Sequence, residues 1–558
     1  MAGPAGGEAV ALPPRYYRDN FLALCRTVEA QYGDLLTADE RDWLAGFRAL
    51  TVQAQCLYLR LVSRVGPWFR PRRLDYAEIG SLSAPLAELR AAGYLVAAEV
   101  LAVEELGRLY TRAELGGLFP RALRGLRGDK RAALAAIAQW SEAEGADLLA
   151  VARGADGEAP VAATGLDRME CLQLLFFGNR RQSLTDFILS DLGVATYHPY
   201  RLDRAHRLFP DRPSVEDYLA CGRLADHYAV LREAGDDAGI VALARSLLDI
   251  SVNHCASERR WWRLFNRVAR QLERCGELDT ALSLYRRSAL HPARERAARV
   301  LEAQQDWRGA IALCREILDT PWGEEEREAA RRILPRVQRR AGDTPARRPR
   351  DSFARLDLSL ERAAERVELA AARALAADWA AVYYVENTLV NGLFGLAFWE
   401  EMFSPVAGAF HNPYQAVPAD MYDGGFYRNR RSMLDRRLER LAEADLAAEL
   451  GAAYRRYQGL QCHWVHWRAL PLALVEAALA RIPASHLLAM WRRMLFDPGE
   501  CRRGFPDLLA LGERPGEYCM IEVKGPGDAL QESQKRWLRF FGEQDIPAAV
   551  AWVRWRDD

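Results

Sequence analysis

The sequence predicts a multidomain chain, mostly α-helical over its N-terminal two-thirds and ending in an α/β domain. Three observations predict it. Apolar residues recur at three- and four-residue spacing up to about residue 380. Residues 230–340 hold three loosely repeated hairpin patterns. After Phe505 the pattern switches to β-β-α-β. At about 150 residues per domain, 558 residues leave room for three domains or more.

The N-terminal segment from Tyr16 carries the helical spacing. The stretch LDYAEIGSLSAPLAELRAAGYL (74–95) reads as a small helical module closing on an exposed wing. Residues 106–140 read as two short amphipathic helices around a turn, with Gly128-Asp129-Lys130 opening the second. That pattern resembles a SAP motif, a small DNA-binding helical hairpin. Lys130 then stands at a helix start, where backbone N–H groups and the helix dipole attract a phosphate.

The repeated patterns are LREAGDDAGIVALARSLL, LERCGELDTALSLYRRSA and LEAQQDWRGAIALCREIL. They resemble tetratricopeptide-type hairpins, with Trp262, Leu264, Ala269, Gly276, Ala281 and Tyr285 in matching kinds of places. The spacing is irregular: Gly235 and Gly276 are 41 residues apart, Gly276 and Gln305 only 29. The segment is therefore a degenerate helical array that buries a continuous core and leaves an extended surface for a partner. The Pro- and Arg-rich residues 341–350 read as a linker. Beyond it come a strand, FARLDLSL, and an Ala-rich helix over about 360–378. The C-terminus then gives PDLLAL (strand), YCMIEVKG (strand), DALQESQKRWLRFFGEQ (helix) and AAVAWVRW (strand). The helical crossover makes the last two strands parallel neighbours.

Composition excludes several classes. No apolar run reaches about 18 residues, so no membrane-spanning helix is expected. The N-terminus has no basic region ahead of its apolar residues, unlike a secretory signal. The ten cysteines are scattered with no C-x-x-C pair, which fits reduced thiols and disfavours zinc sites and disulfides. Net charge is zero, which argues against bulk nucleic-acid affinity. Local basic patches at 64–76, 286–299, 336–350 and 427–437 stand against that average. In QCHWVHW, Cys462, His463 and His466 could suggest a metal, but the interleaved Trp464 and Trp467 favour a buried aromatic helix.

Lysine is rare. Of 76 Lys and Arg residues, only Lys130, Lys524 and Lys535 are lysines. Lys524 nevertheless stands with Glu522 inside an apolar strand pattern. Strand alternation puts both side chains on one face, about 7 Å apart, with Ile521 and Val523 on the other. A hairpin through Gly516 returns Asp507 to Glu522, so two carboxylates and an amine converge. Paired carboxylates suit a hard cation such as Mg²⁺ or Mn²⁺, and such a cation suits phosphodiester hydrolysis. An ammonium beside the attacking water orients it and can give up a proton, which a guanidinium does not.

Pro506-Asp507 followed fifteen residues later by Glu522-Val523-Lys524 is the pattern of the PD-(D/E)xK, restriction-endonuclease-like fold. CRRGFPDLLAL and IEVKGPGDALQESQKRWL resemble the VRR-NUC domain, and in particular that of the Fanconi-anaemia-associated nuclease family. VYYVENTLVNGLFGLAFWEEMF, YQAVPADMYDGGF, Phe176-Phe177-Gly178-Asn179 and the LDYAEI segment are similar to that family too, so the resemblance covers most of the chain. It implies a helical DNA-binding region over 1–230, a TPR-like region over 231–340 and a VRR-NUC nuclease domain over 351–558. It implies Asp507, Glu522 and Glu386 as metal-binding carboxylates, the Val523 carbonyl as a further ligand and Lys524 as the catalytic lysine. Glu386 is expected at the start of a helix over 387–402. Gln415, Arg64, Tyr76, Arg294, Arg296, Lys130 and Lys535 are the expected DNA contacts.

The implied activity is that of a bacterial, structure-selective DNA nuclease. It cuts 5′ flaps and resects 5′ to 3′ with two Mg²⁺ or Mn²⁺ ions per site, in interstrand crosslink repair. Its partner is branched or flapped duplex DNA, and its place the cytoplasm at the nucleoid. The chain lacks the cysteines of the family's ubiquitin-binding zinc finger, so ubiquitin binding is not expected. Two alternatives stand beside this reading: a four-way-junction resolvase, and a DNA-binding scaffold with an inactive nuclease.

Overall fold

The computed structural model describes residues 13–64, 66–182, 196–345, 350–362 and 365–556. They divide into two compact units, the first ending at Ala195 and the second running from Thr196 to the C-terminus.

In the first unit, helices Tyr16–Tyr32, Ala38–Ala49 and Val52–Val62 pack around Phe21, Leu24, Phe47 and Tyr58. Thr37 and Glu40 form a reciprocal capping box at the second helix. Helix Ser83–Ala91 leads into a three-stranded antiparallel sheet of Trp68–Phe69, Val161–Ala163 and Leu95–Ala97, with Val161–Ala163 in the centre. This is the expected helical module with its wing. The SAP-like stretch holds three helices, not two: Val103–Leu109, Arg112–Leu118 and Lys130–Glu144. Thr111 supplies a second N-cap and splits the first expected helix.

In the second unit, three hairpins stack: Arg212–Ala234 with Asp237–Leu248, Cys255–Arg274 with Leu278–Arg287, and Ala293–Ala303 with Trp307–Asp319. Glu324–Arg340 closes the array. Gly235, Gly276 and Gln305 each take a left-handed backbone at the turn, so Gln305 does a glycine's work in the third hairpin. Leu264, Ala269, Ala281 and Tyr285 are buried in the shared core.

A five-stranded sheet follows in the order Ala354–Leu360, Ala548–Trp555, Tyr518–Lys524, Leu508–Leu511, Ala381–Tyr384. The first three strands are parallel, and the crossover helix Glu532–Glu543 joins the second and third of them. The last two join antiparallel. Leu508, Ala510, Ile521, Val523 and Val553 pack on one face with Ala371 and Leu375 of helix Val367–Leu375. Leu509, Leu511, Met520 and Val550 pack on the other with Trp537, Leu538 and Phe541.

Three local expectations are corrected, and one strand was missed. Edge strand Ala381–Tyr384 had no separate signal, because it is short and half-buried at every residue. The Ala-rich helix is shorter, Val367–Leu375. The helix expected over 387–402 is two, Leu389–Ala397 and Trp399–Met402, broken at Phe398. QCHWVHW is not helical: Leu460–Gln461 pairs with Thr196–Tyr197, and turns follow. Among the described residues no single helix is long and apolar enough to cross a membrane. The bent pair Leu472–Leu479 and Ala484–Phe496 buries its apolar face in the core.

Candidate active site

The register that pairs Leu508 with Ile521 sets Asp507 opposite Glu522. Asp507 Oδ2 accepts the Val523 N–H at 2.9 Å, so the carboxylate is tied to the strand that carries Glu522 and Lys524. Lys524 Nζ lies 2.8 Å from Glu522 Oε1. The three residues are buried, at 7% (Asp507), 1% (Glu522) and 8% (Lys524) exposure. Glu386 stands two residues beyond strand Ala381–Tyr384. The Val385 N–H donates to the Asp507 carbonyl at 2.8 Å, which brings the Glu386 turn alongside. The Tyr384 hydroxyl donates to Glu386 Oε2 at 2.5 Å, and Arg366 Nη2 in turn donates to the Tyr384 hydroxyl at 3.0 Å.

These carboxylates are electrostatically crowded. Burial and the charges of Glu386 and Glu368 push the Asp507 carboxyl up to about 6, against the lowering effects of the Val523 N–H and Lys524. Burial, then Asp507, pushes Glu522 up to about 8, although Lys524 pulls the other way. Glu522 Oε2 is buried with no hydrogen-bond partner among the described residues. A buried acceptor without a donor is costly, and a divalent cation would answer both this and the carboxylate repulsion, so the donor set fits one. Among the described residues no three His, Cys, Asp or Glu side chains converge as a ready ligand group. A Mg²⁺-like ion takes only part of its shell from protein carboxylates and keeps waters and substrate phosphate oxygens.

Several supporting residues lacked a motif of their own. Gln534 Nε2 donates to Glu522 Oε1 at 2.6 Å, while its Oε1 accepts the Gln531 N–H at 2.8 Å. The cap fixes which end of the amide meets Glu522. Its one trace in sequence is a polar residue on the helix face that carries Trp537 and Phe541. Asn387 takes a left-handed backbone (φ 51°) and accepts the Phe505 N–H at 3.2 Å. Gly504 also has positive φ, and a Cβ there would meet the Ser533 backbone at 2.6 Å, so the loop before Asp507 closes onto the Gln534 helix only through a glycine. Phe505 then stacks on Trp537 at 4.1 Å.

The expected DNA contacts are dispersed. Arg64 Nη1 donates to the Tyr76 hydroxyl at 3.0 Å in the first unit. Lys130 is the first residue of its helix, next to the Asp129 cap that accepts the Ala132 N–H. Arg294 is buried against Glu326 (2.7 Å) and lies over Trp322 at 4.0 Å. Arg296 pairs with Glu273 at 2.7 Å. The Gln415 amide accepts the His411 N–H at 2.6 Å and donates to the Ala409 carbonyl at 3.2 Å, stapling its own loop. Lys535 pairs with Glu532 at 2.9 Å on the same helix.

The family model for the VRR-NUC domain matches residues 441–555, and that for the FAN1, HTH domain matches residues 15–96. The chain is 36% identical over 562 residues to the Fanconi-associated nuclease 1 homolog of Pseudomonas aeruginosa, covering 100% of this chain and 99% of that protein. It is 23% identical to human Fanconi-associated nuclease 1 over 94% of this chain, and spans 61% of that longer protein. A crystal structure of paFAN1 bound to 2-nucleotide 5′-flap DNA with a gap has TM-score 0.83 and 35% identity, covering 98% of this chain and 100% of that one. A second, with a 1-nucleotide flap, has TM-score 0.81 and 34% identity, with the same coverage. With a likeness that runs end to end and carboxylates that crowd beside a buried lysine on its sheet, this chain belongs to the Fanconi-associated nuclease family.

Proposed function

We propose that the chain cuts 5′ flaps and resects DNA from a 5′ end, in the repair of interstrand crosslinks at the bacterial nucleoid. It is a structure-selective DNA nuclease that depends on divalent metal. The observation that carries the reading is the buried set of Asp507, Glu522 and Lys524, with an unpartnered Glu522 oxygen. The 5′-flap DNA held by the solved relatives supports the substrate.

Asp507, Glu522, Glu386 and the Val523 carbonyl would hold the metal, taken as two Mg²⁺ or Mn²⁺ ions. When bound, the metal supplies Lewis-acid polarisation of the phosphate and an acidified water. Val523 keeps Asp507 in place, Gln534 orients Glu522, and Tyr384 holds Glu386. Lys524 Nζ, already a donor to Glu522, presents a compact N–H to the attacking water. The region expected over 1–230, the array expected over 231–340, whose first helix already starts at Arg212, and the nuclease domain over 351–558 divide the work, the first two gripping duplex and the last receiving the 5′ end. Arg64, Tyr76 and Lys130 contribute to that grip. Arg294, Arg296, Gln415 and Lys535 already have partners within the protein, and Lys535 keeps two of its three donors for a further contact.

The test is cleavage of matched 5′-flap, 3′-flap, four-way-junction and single-stranded DNA with Mg²⁺ or Mn²⁺. Fastest cutting on the 5′ flap is expected. Preference for the four-way junction would replace this reading with the resolvase one.

A further inference from the structure

The segment that leads into Asp507 carries a second group of side chains that hydrolysis does not use. Its backbone is strapped on two sides. The Arg502 carbonyl accepts from Asn391 Nδ2 at 2.9 Å, and the same amide donates to the Asn387 carbonyl at 2.6 Å, next to Glu386. The Arg503 carbonyl accepts from Trp537 Nε1 at 3.0 Å. From this fixed point the Arg502 guanidinium reaches over the Tyr422 ring, 4.8 Å from its centroid, and stands 6.0 Å from that of buried Trp464. The Tyr422 ring is nearly parallel to the His463 imidazole (11°), with the Tyr422 hydroxyl 3.5 Å from His463 Nδ1. The two rings are stacked, with centroids 6.5 Å apart, half-buried at Tyr422 and exposed at His463, so His463 forms the solvent end of the stack.

The Arg502 guanidinium differs from three of its neighbours. Nearby Arg493, Arg536 and Arg539 each hold a carboxylate. Among the described residues the Arg502 guanidinium has no ion pair. An arginine kept only by aromatic faces retains its fork for a phosphate. Aromatic faces stack bases of any sequence once those bases are unpaired. Asp507 follows Arg502 by five positions, so their Cα atoms are at most about 18 Å apart, a span of a few nucleotides.

We propose that Arg502, Tyr422 and His463 form a platform that docks one unpaired nucleotide of the DNA beside the scissile phosphate, its base stacked on the rings and its phosphate on Arg502. This rests on the reading of the chain as a flap nuclease, and it fails separately from it.

The experiment is single-turnover cleavage of 5′-flap DNA by the full chain, with substrates made abasic at one nucleotide at a time on either side of the cut. Arg502→Ala and His463→Ala are expected to lower cleavage of intact DNA about 5- to 100-fold, the range of a lost base stack. At one abasic position wild type should lose a similar factor, and His463→Ala should lose little more. Tyr422→Phe keeps the ring and should keep that coupling. His463 is exposed, so its variant tests the platform even where an Arg502 variant folds poorly. Losses that multiply at every abasic position, or variants that cut like wild type, overturn the proposal. A wild-type protein that leaves the flap uncut overturns instead the reading on which it rests.

Discussion

Lys524 Nζ lies 2.8 Å from Glu522 Oε1, and the other oxygen of that carboxylate has no partner among the described residues. A lysine donates at one point and leaves Oε2 available. An arginine at 524 would present a planar fork and bind both oxygens. Lys524→Arg is therefore expected to lose about 10²–10⁴ in cleavage rate, the usual worth of a positioned proton-transfer group, with DNA binding retained. Retention of more than about a tenth of the wild-type rate, far short of that range, would make Lys524 an electrostatic neighbour only.

The crowded carboxylates carry a stability cost that depends on pH. Glu522 is pushed up to about 8 by burial first and by Asp507 second, so the folded state holds its proton more tightly than the unfolded state does. Stability from this group is full below the ordinary carboxyl range and is lost as pH rises toward about 8. Metal-free protein should therefore melt at lower temperature at pH 8.5 than at pH 5.5, with all else fixed, since most of the span from the ordinary carboxyl value of 4.5 to about 8 lies between those two pH values. Glu522→Gln should flatten that slope and raise the melting temperature at the alkaline end, and Mn²⁺ should stabilise wild type more than the variant. Equal slopes in a thermal melt series would contradict this.

Gln534 meets Glu522 at 2.6 Å with its amide orientation fixed by the Gln531 cap. Gln534→Ala should weaken metal affinity or activity about 10- to 100-fold, as loss of a ligand's supporting partner does. Gln534→Glu puts a carboxylate against Glu522 and should do worse. A metal titration followed by cleavage rate separates the two effects, and wild-type behaviour in both variants would remove Gln534 from the site.

Removal of residues 1–195 leaves the second compact unit whole. A cut at 351 would not, because Arg539 pairs with Glu328 and the Glu324 N–H with Asp497 Oδ2, tying the array to the nuclease helices. The 196–558 protein should still cut DNA but lose much of its preference for flaps over plain duplex ends. Unchanged selectivity would assign the N-terminal unit another task.

Much of this was legible in the sequence because it rests on local periodicity. Strand alternation places Glu522 and Lys524 together, and the Gly516 turn returns Asp507 to them. The edge strand Ala381–Tyr384 was not legible, since four half-buried residues carry no clear period. Gln415 and Arg294 show the opposite limit. A polar side chain in sequence does not declare whether it faces solvent or staples its own loop, and both are consumed by internal partners. Gln534 and Asn387 were hidden because their roles depend on contacts from distant segments.

The decisive measurement is single-turnover cleavage of a 5′-flapped duplex by Asp507→Ala and Glu522→Gln proteins at saturating enzyme, with Mg²⁺ and with Mn²⁺, alongside their affinity for the same DNA. Both variants should bind with near wild-type affinity, because phosphate contacts by basic residues supply most of it, and both should cut no faster than background. Cleavage near the wild-type rate by either protein with either metal would contradict the assignment of Asp507 and Glu522 as the metal-holding carboxylates.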